Sequence, residues 1–92
     1  MSSGETDRDP VLRELRNQIA ANDLSVLEAV NRRLELVRLL KEHKEAHGLE
    51  FVDQAQEERL LDRLAAANPG PLSEQAVREL YRTLLELTKR EA

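Results

Sequence analysis

The sequence predicts an all-α fold, and three observations support this. Aromatic residues make up 2% of the chain and charged residues 35%, a composition rich in Leu, Ala, Glu and Arg that favours helix over sheet. Apolar residues recur at intervals of three, four or seven along most of the chain. Strong helix-ending signals separate long periodic stretches. Together these observations predict one long, one short and one medium helix.

The first predicted helix extends from about Pro10 to Ala46. Asp9 suits an N-cap, and proline at the first helical position loses no hydrogen bond there. Gly48 is suited to a C-terminal cap because glycine readily adopts positive φ. One apolar stripe runs along this helix, formed by Leu12, Leu15, Ile19, Val26, Val30, Val37 and Leu40.

The two later helices also carry capping signals. Asp53 precedes the second helix with Gln56 at the capping-box position, and Asn68-Pro69-Gly70-Pro71 ends it. Ser73 caps the third helix, which continues to Ala92. The apolar residues expected to be buried in the third helix are Val77, Leu80, Tyr81, Leu84 and Leu85.

The length of the first helix predicts a dimer. About 37 residues at about 1.5 Å each span roughly 55 Å, whereas a domain of this size has a radius of gyration of only roughly 12 Å. A second copy lying antiparallel would cover the exposed apolar stripe. We therefore expect an intertwined, antiparallel helical homodimer. The alternatives are a helix frayed at one end and a hairpin with a bend.

Composition also limits the functional classes. A net charge of −4 argues against nucleic-acid and anionic-membrane partners, although a local basic pocket is compatible with it. The chain has no Cys and only two His, so no disulfide, metal site or cofactor is expected. Residues 1–9 are polar, which predicts a disordered tail, and they contain no signal-peptide core. Residues 10–92 are expected to form a single domain. The expected location of the protein is cytoplasmic.

Charged residues interrupt the apolar stripe of the first helix. Arg33 and Lys44 lie on the same face as Val37, about 20° apart around the helix and roughly 16 Å apart along it. Arg16 and Asp23 lie at the margin of this face. Each could be explained by a side chain that extends to solvent or by an interface ion pair.

Glu57 and Thr88 show the same anomaly on the other two helices. Glu57 begins the apolar stripe of the second helix, and Thr88 continues that of the third. Glu57 alone could complement the helix dipole, and the Thr88 hydroxyl could bond to its own helix backbone. Two cations, a carboxylate and a hydroxyl directed inward are costly to bury without polar partners. A dianionic ligand would meet this requirement.

Arg16 precedes Arg33 by seventeen residues, which is roughly 25 Å along a helix and too far for both to share one small-molecule pocket within a chain. An antiparallel partner helix removes this difficulty. It would bring Arg16 of one subunit beside Arg33 and Lys44 of the other. The geometry that predicts a dimer therefore also predicts two composite sites.

From about Leu12 to the C-terminus, these positions resemble the all-helical chorismate mutases. The family pattern of Leu-Arg, Ile and Asp is matched by Leu15-Arg16, Ile19 and Asp23, and its Arg and Lys eleven residues apart by Arg33 and Lys44. Its Asp, two variable residues and Arg-Glu resemble Asp53-Gln54-Ala55-Gln56-Glu57. The segment from Asn68 to Ser73 is also similar to a family loop.

The resemblance implies a role for each position. Arg33, with Arg16 from the other subunit, would bind the two carboxylates of chorismate, and Lys44 would donate to a carboxylate and to the ether oxygen. Glu57 and the backbone N–H of Asp53 would bind the ring hydroxyl. Gln56 would also face the substrate, and Thr88 would lie near a carboxylate.

The implied activity is the conversion of chorismate to prephenate in phenylalanine and tyrosine biosynthesis, on the shikimate pathway. This intramolecular rearrangement requires no nucleophile or cofactor, and a rigid cationic pocket could select the reactive conformer and stabilise charge on the ether oxygen.

The sequence departs from the family at Gln56, where the pattern has Arg, and at Ala92, where many members have Gln. The departures imply modest activity and an activating partner enzyme of the same pathway. Isochorismate–pyruvate lyase, aminodeoxychorismate mutase and a non-catalytic helical dimer remain alternatives.

Overall fold

The computed structural model describes residues 8–92, which form three α-helices and no strand. These are α1 (Pro10–Ala46), α2 (Gln54–Ala67) and α3 (Glu74–Glu91). The all-α fold and the three predicted helices are confirmed. Of the predicted tail, residues 1–7 lie outside the described residues. The chain divides into two units, residues 1–32 and residues 33–92, and α1 contributes to both.

Residues 8–32 comprise the start of α1 and its cap. The Asp9 carboxylate accepts hydrogen bonds from the backbone N–H groups of Val11 (3.0 Å) and Leu12 (3.1 Å), as expected for an N-cap. The apolar stripe that follows is exposed within a single chain, with Leu15 at 51% and Ile19 at 60%. Along all of α1, which the structure describes completely, no residue is buried.

In residues 33–92, α1 ends in a Schellman motif. Gly48 has a φ of 66°, and its N–H donates to the carbonyl of Glu45 at 3.3 Å. The N–H of Leu49 donates to the carbonyl of Lys44 at 2.8 Å. Only glycine adopts this backbone conformation without a steric cost, which explains the helix end.

Both later helices have the predicted caps. The side chains of Asp53 and Ser73 each accept a backbone N–H at 3.1 Å, from Gln56 and Ala76 respectively. The Gln56 side chain does not complete the capping box, because its oxygen accepts hydrogen bonds from Arg59 instead. That competing cation lies one helical turn further on, where it can reach the amide.

Helices α2 and α3 pack through Leu61, which is 1% exposed, and Val77, which is 4% exposed. Tyr81, Leu84 and Leu85 are half-buried. The prediction that Leu80 is buried is wrong for the single chain, since 47% of it is exposed. It lies at the edge of the stripe, where the short α2 does not cover it.

A surface ion bridge joins the same two helices. Arg78 on α3 contacts Asp62 on α2 at 2.9 Å and Glu74 at 3.1 Å. Hydrogen bonds to Asp62, and then to Glu74, raise the pKa of Arg78 above its ordinary value. The guanidinium therefore remains charged throughout the pH range in which proteins fold.

Residues 8–92 contain no helix with the length and apolar character of a membrane span. Within the same residues, no group of His, Cys, Asp or Glu side chains is arranged to bind a metal ion.

Candidate active site

A cavity of about 230 Å³ opens within residues 33–92. Its apolar wall combines side chains from the end of α1, the following loop and both later helices: Val37, Leu40, Phe51, Val52, Leu60 and Leu85. This wall would remove water from the apolar part of a ligand and strengthen electrostatic interactions within the cavity.

The polar wall contains six of the residues predicted from the sequence, together with Lys89. These are Arg33, Lys44, Asp53, Gln56, Glu57, Thr88 and Lys89. The structure therefore brings residues from three helices to one cavity, including Arg33 and Thr88, which are 55 positions apart in the sequence.

Arg33 enters the cavity from α1 and is positioned by α3. Its Nη1 donates to the hydroxyl of Thr88, and this hydroxyl donates to the carbonyl of Leu84 at 2.7 Å. Thr88 is 5% exposed. The backbone bond considered from the sequence is present, and the Thr88 oxygen also fixes Arg33. A guanidinium has five N–H donors, so the group retains donors for a ligand.

Lys44 lines the cavity from near the C-terminal end of α1. Its Nζ donates to the carbonyl of Phe51 at 3.1 Å, and the nearby Lys41 Nζ lies 5.6 Å from the Phe51 ring centroid. The loop after α1 thereby contacts two lysines of that helix. Lys44 is half-buried and lines the cavity.

Glu57, in the first turn of α2, forms an ion pair with a residue of α3 in the cavity wall. Its carboxylate lies 2.8 Å from the Nζ of Lys89 on α3, with the side chains 23% and 37% exposed respectively. The pair fixes the carboxylate, although partial exposure keeps the stabilisation small. The dipole explanation considered from the sequence is compatible with this position, because Glu57 lies near the helix N-terminus.

Asp53 and Gln56 line the cavity beside Glu57. The Asp53 carboxylate is engaged in capping α2. The Gln56 side-chain oxygen accepts from Arg59 Nε at 3.2 Å and from Nη2 at 3.0 Å. The position where the family pattern has a cation therefore carries a neutral amide that is held by an exposed arginine.

Arg16 belongs to the unit of residues 1–32 and is not among the residues of this cavity. Sequence reasoning missed Lys89, which follows the cavity residue Leu85 by four positions and so shares its helix face. The sequence signal that could have identified Lys89 is its position as a charged residue at the end of the apolar stripe of α3.

The charges of the cavity suit an anionic ligand. Three cations and two carboxylates, Asp53 and Glu57, leave a formal excess of one positive charge in a chain whose net charge is −4. Arg33 and Lys44 lie eleven residues apart on α1, and Lys89 lies on α3, so the three cations can contact separate groups of one ligand. Fixed donors in a partly apolar cavity can also stabilise charge that develops during a reaction.

Comparison with known proteins identifies the family. The model of the family described as chorismate mutase type II matches residues 15–92, which is most of the chain. The chain belongs to this family. This confirms the family and the enzyme class, a chorismate mutase, expected from the sequence.

Solved chorismate mutases share the fold. Form I of the enzyme from Thermus thermophilus is 26% identical, with a TM-score of 0.82, over 84% of this chain and 96% of that one. Form II is 25% identical, with a TM-score of 0.83, over 86% and 90% of the two chains. No curated protein gave a significant match.

Proposed function

We propose that the cavity binds chorismate and promotes its rearrangement to prephenate, with Arg33, Lys44 and Glu57 in contact with the reacting molecule. The observation that supports this most strongly is the convergence of these side chains on one cavity with an apolar wall. The family membership supports the same reaction.

Arg33 binds a substrate carboxylate in this proposal. Its bond to Thr88 holds the guanidinium on the side of α3 and leaves other N–H groups for a forked contact. Thr88 lies near the same carboxylate. Because Thr88 is buried and already bonded to Leu84, this part of the site is fixed before ligand binding.

Lys44 acts at the bond that breaks. The ether carbon–oxygen bond cleaves while a carbon–carbon bond forms in the same molecule, so no atom is gained or lost. Lys44 donates to a carboxylate and to the ether oxygen, where negative charge develops, and this preferential stabilisation lowers the barrier. The bond from Lys44 to Phe51 fixes the starting position of the ammonium group.

Glu57 accepts from the ring hydroxyl, and the backbone N–H of Asp53 assists it. Gln56 contributes an uncharged contact at most, because its oxygen is already engaged by Arg59. With an amide in place of a guanidinium here and Ala92 in place of the expected Gln, we expect modest activity. An activating partner enzyme of the same pathway would compensate for this.

We further propose that the site is completed in an intertwined homodimer, with Arg16 of the other subunit binding the second carboxylate. The support is the exposed apolar stripe of α1, where Ile19 and Val26 are 60% and 53% exposed in the single chain. Such a surface is typical of a covered interface. We also propose that the protein is located in the cytoplasm.

The test is the loss of chorismate absorbance with wild type and with Arg33→Ala. Loss of the charged, forked contact between Arg33 and a substrate carboxylate costs roughly 100-fold in kcat/KM. Arg82→Ala is the matched control, since Arg82 is exposed and outside the cavity. We expect Arg33→Ala to lose about 100-fold in kcat/KM and Arg82→Ala to stay close to wild type.

Isochorismate and aminodeoxychorismate should be assayed in parallel. Turnover of either compound without turnover of chorismate would overturn the proposed substrate. A non-catalytic helical dimer predicts that wild type converts none of the three compounds and that Arg33→Ala retains or improves stability and changes no chemistry.

A further inference from the structure

Lys89 is a cation of the cavity that the roles proposed above do not use. Its Nζ contacts Glu57 at 2.8 Å, and 37% of its side chain is exposed. It follows the buried Thr88 on α3 and lines the same cavity. Its neighbour Arg90 is 71% exposed and pairs with Glu91 outside the cavity.

The charge of the cavity depends on Lys89. Without it, Arg33 and Lys44 only balance the carboxylates of Asp53 and Glu57, and the cavity is formally neutral. A neutral cavity has little electrostatic preference for a dianion over water. Lys89 therefore provides the net positive charge that residues 33–92 offer to such a ligand.

We propose that Lys89 is a substrate-binding residue that donates directly to a carboxylate of the dianionic ligand. This rests on the proposed function. An ammonium group has three N–H donors, and the pair with Glu57 engages one of them. The remaining donors can contact the ligand while Glu57 stays fixed for the ring hydroxyl.

Lys89 shares the cavity with the neutral amide of Gln56. The Gln56 oxygen is held by Arg59. Lys89 reaches the cavity from α3 and places a positive charge beside Glu57. The positive charge next to Glu57 within the cavity therefore comes from α3.

The experiment compares Lys89→Gln with Arg90→Gln. Both remove one positive charge from adjacent positions of α3, but only Lys89 lines the cavity. We measure kcat and KM for chorismate and, by calorimetry at low ionic strength, the Kd for prephenate, which is also a dianion. Circular dichroism melting curves check that each variant folds.

We expect Lys89→Gln to raise the KM for chorismate and the Kd for prephenate about tenfold, the loss typical of a hydrogen bond to a charged group. Arg90→Gln should change both less than twofold, which is usual for a distant exposed charge. Lys89→Arg should restore most of the affinity because it keeps a charged donor. Equal prephenate affinities for the two Gln variants would overturn the proposal.

A second experiment, in a Glu57→Gln protein, tests whether Lys89 acts only by holding the Glu57 carboxylate in place. If Lys89 only fixes the Glu57 carboxylate, Lys89→Gln has no further effect on prephenate affinity in a Glu57→Gln protein. Direct contact with the ligand predicts that the tenfold loss persists there. Disappearance of the loss in this background would also overturn the proposal.

The two proposals fail in different measurements. Absence of chorismate turnover by wild type would contradict the proposed function, whereas the Lys89 proposal is decided by the prephenate affinities of the Gln variants. If wild type converts chorismate but the Lys89 and Arg90 variants bind prephenate alike, only the Lys89 proposal is wrong.

Discussion

Large apolar side chains are exposed in residues 8–32, with Ile19 at 60% and Leu24 at 63%, whereas Leu61 and Val77 in residues 33–92 are 1% and 4% exposed. The second unit contains a small core of its own and all the residues of the cavity. Residues 8–32 contain no buried residue and no residue of this cavity, although they carry an apolar stripe. An apolar stripe that is exposed in this way is typical of a surface that a partner covers.

The largest expected effect comes from mixing two inactive variants. In our proposal Arg16→Ala and Arg33→Ala each lose about 100-fold in activity as homodimers. A heterodimer would have one site with both substitutions and one site with neither. After unfolding and refolding an equimolar mixture, about half of the dimers are mixed, so about a quarter of wild-type activity should return.

The measurement is the chorismate conversion rate of the refolded mixture, with each variant refolded alone as the control. If Arg16 and Arg33 acted within one chain, every chain in the mixture would be defective. A mixture that remains as inactive as its components would therefore exclude shared sites.

A second prediction concerns the small core of residues 33–92. Leu61→Ala should lower the free energy of unfolding by ~2–5 kcal/mol, because it removes buried methyl groups and leaves a cavity between α2 and α3. Chemical denaturation monitored by circular dichroism measures this loss. A loss below ~0.5 kcal/mol, typical of surface positions, would show that Leu61 does not form the core.

Ile19→Ala tests whether a second copy of the chain covers the apolar stripe in residues 8–32. Because Ile19 is 60% exposed in one chain, the substitution should cost little unless a second copy covers the side chain. We expect it to raise the dimer dissociation constant about tenfold, the cost of exposing part of a large apolar side chain. Sedimentation equilibrium measures this constant, and an unchanged value would contradict the proposed interface.

The smallest effect is expected for Arg78→Ala. The bridge to Asp62 and Glu74 is at the surface, where side-chain entropy and salt screening offset most of the attraction. We expect the Tm to fall by no more than a few degrees and 1 M salt to reduce the difference. A larger fall, comparable to that of Leu61→Ala, would mean that the ion bridge joins α2 and α3 more than apolar contact does.

Much of the fold could be predicted because its signals are local. The capping residues Asp9, Asp53 and Ser73 determine where the helices begin, and Gly48 permits the end of α1. Burial was harder to predict. Leu80 has the same apolar character as its neighbours, but whether it is covered depends on the reach of another helix.

The site could be predicted in part for the same reason. Arg33 and Thr88 are inward-facing polar residues on otherwise apolar faces, and that pattern is visible in sequence. The pairing of Glu57 with Lys89 is not visible, because it depends on how α2 and α3 approach each other. The engagement of Gln56 by Arg59 likewise depends on which of two local partners the amide binds.

The two connections between helices differ in how much change in length they can accept. The first connection contributes Phe51, Val52 and Asp53 to the cavity wall. It is also bonded to Lys44 twice. The backbone carbonyl of Lys44 accepts the N–H of Leu49, and the Lys44 ammonium donates to the Phe51 carbonyl. An inserted residue there would displace the wall and the lysine together. In the second, Asn68 closes the turn by donating to Leu72 at 2.7 Å and accepting from Gly70 at 3.1 Å, and residues 68–73 do not line the cavity. This turn is therefore the place to attach a spectroscopic label or insert a tag while leaving the chemistry of the cavity intact.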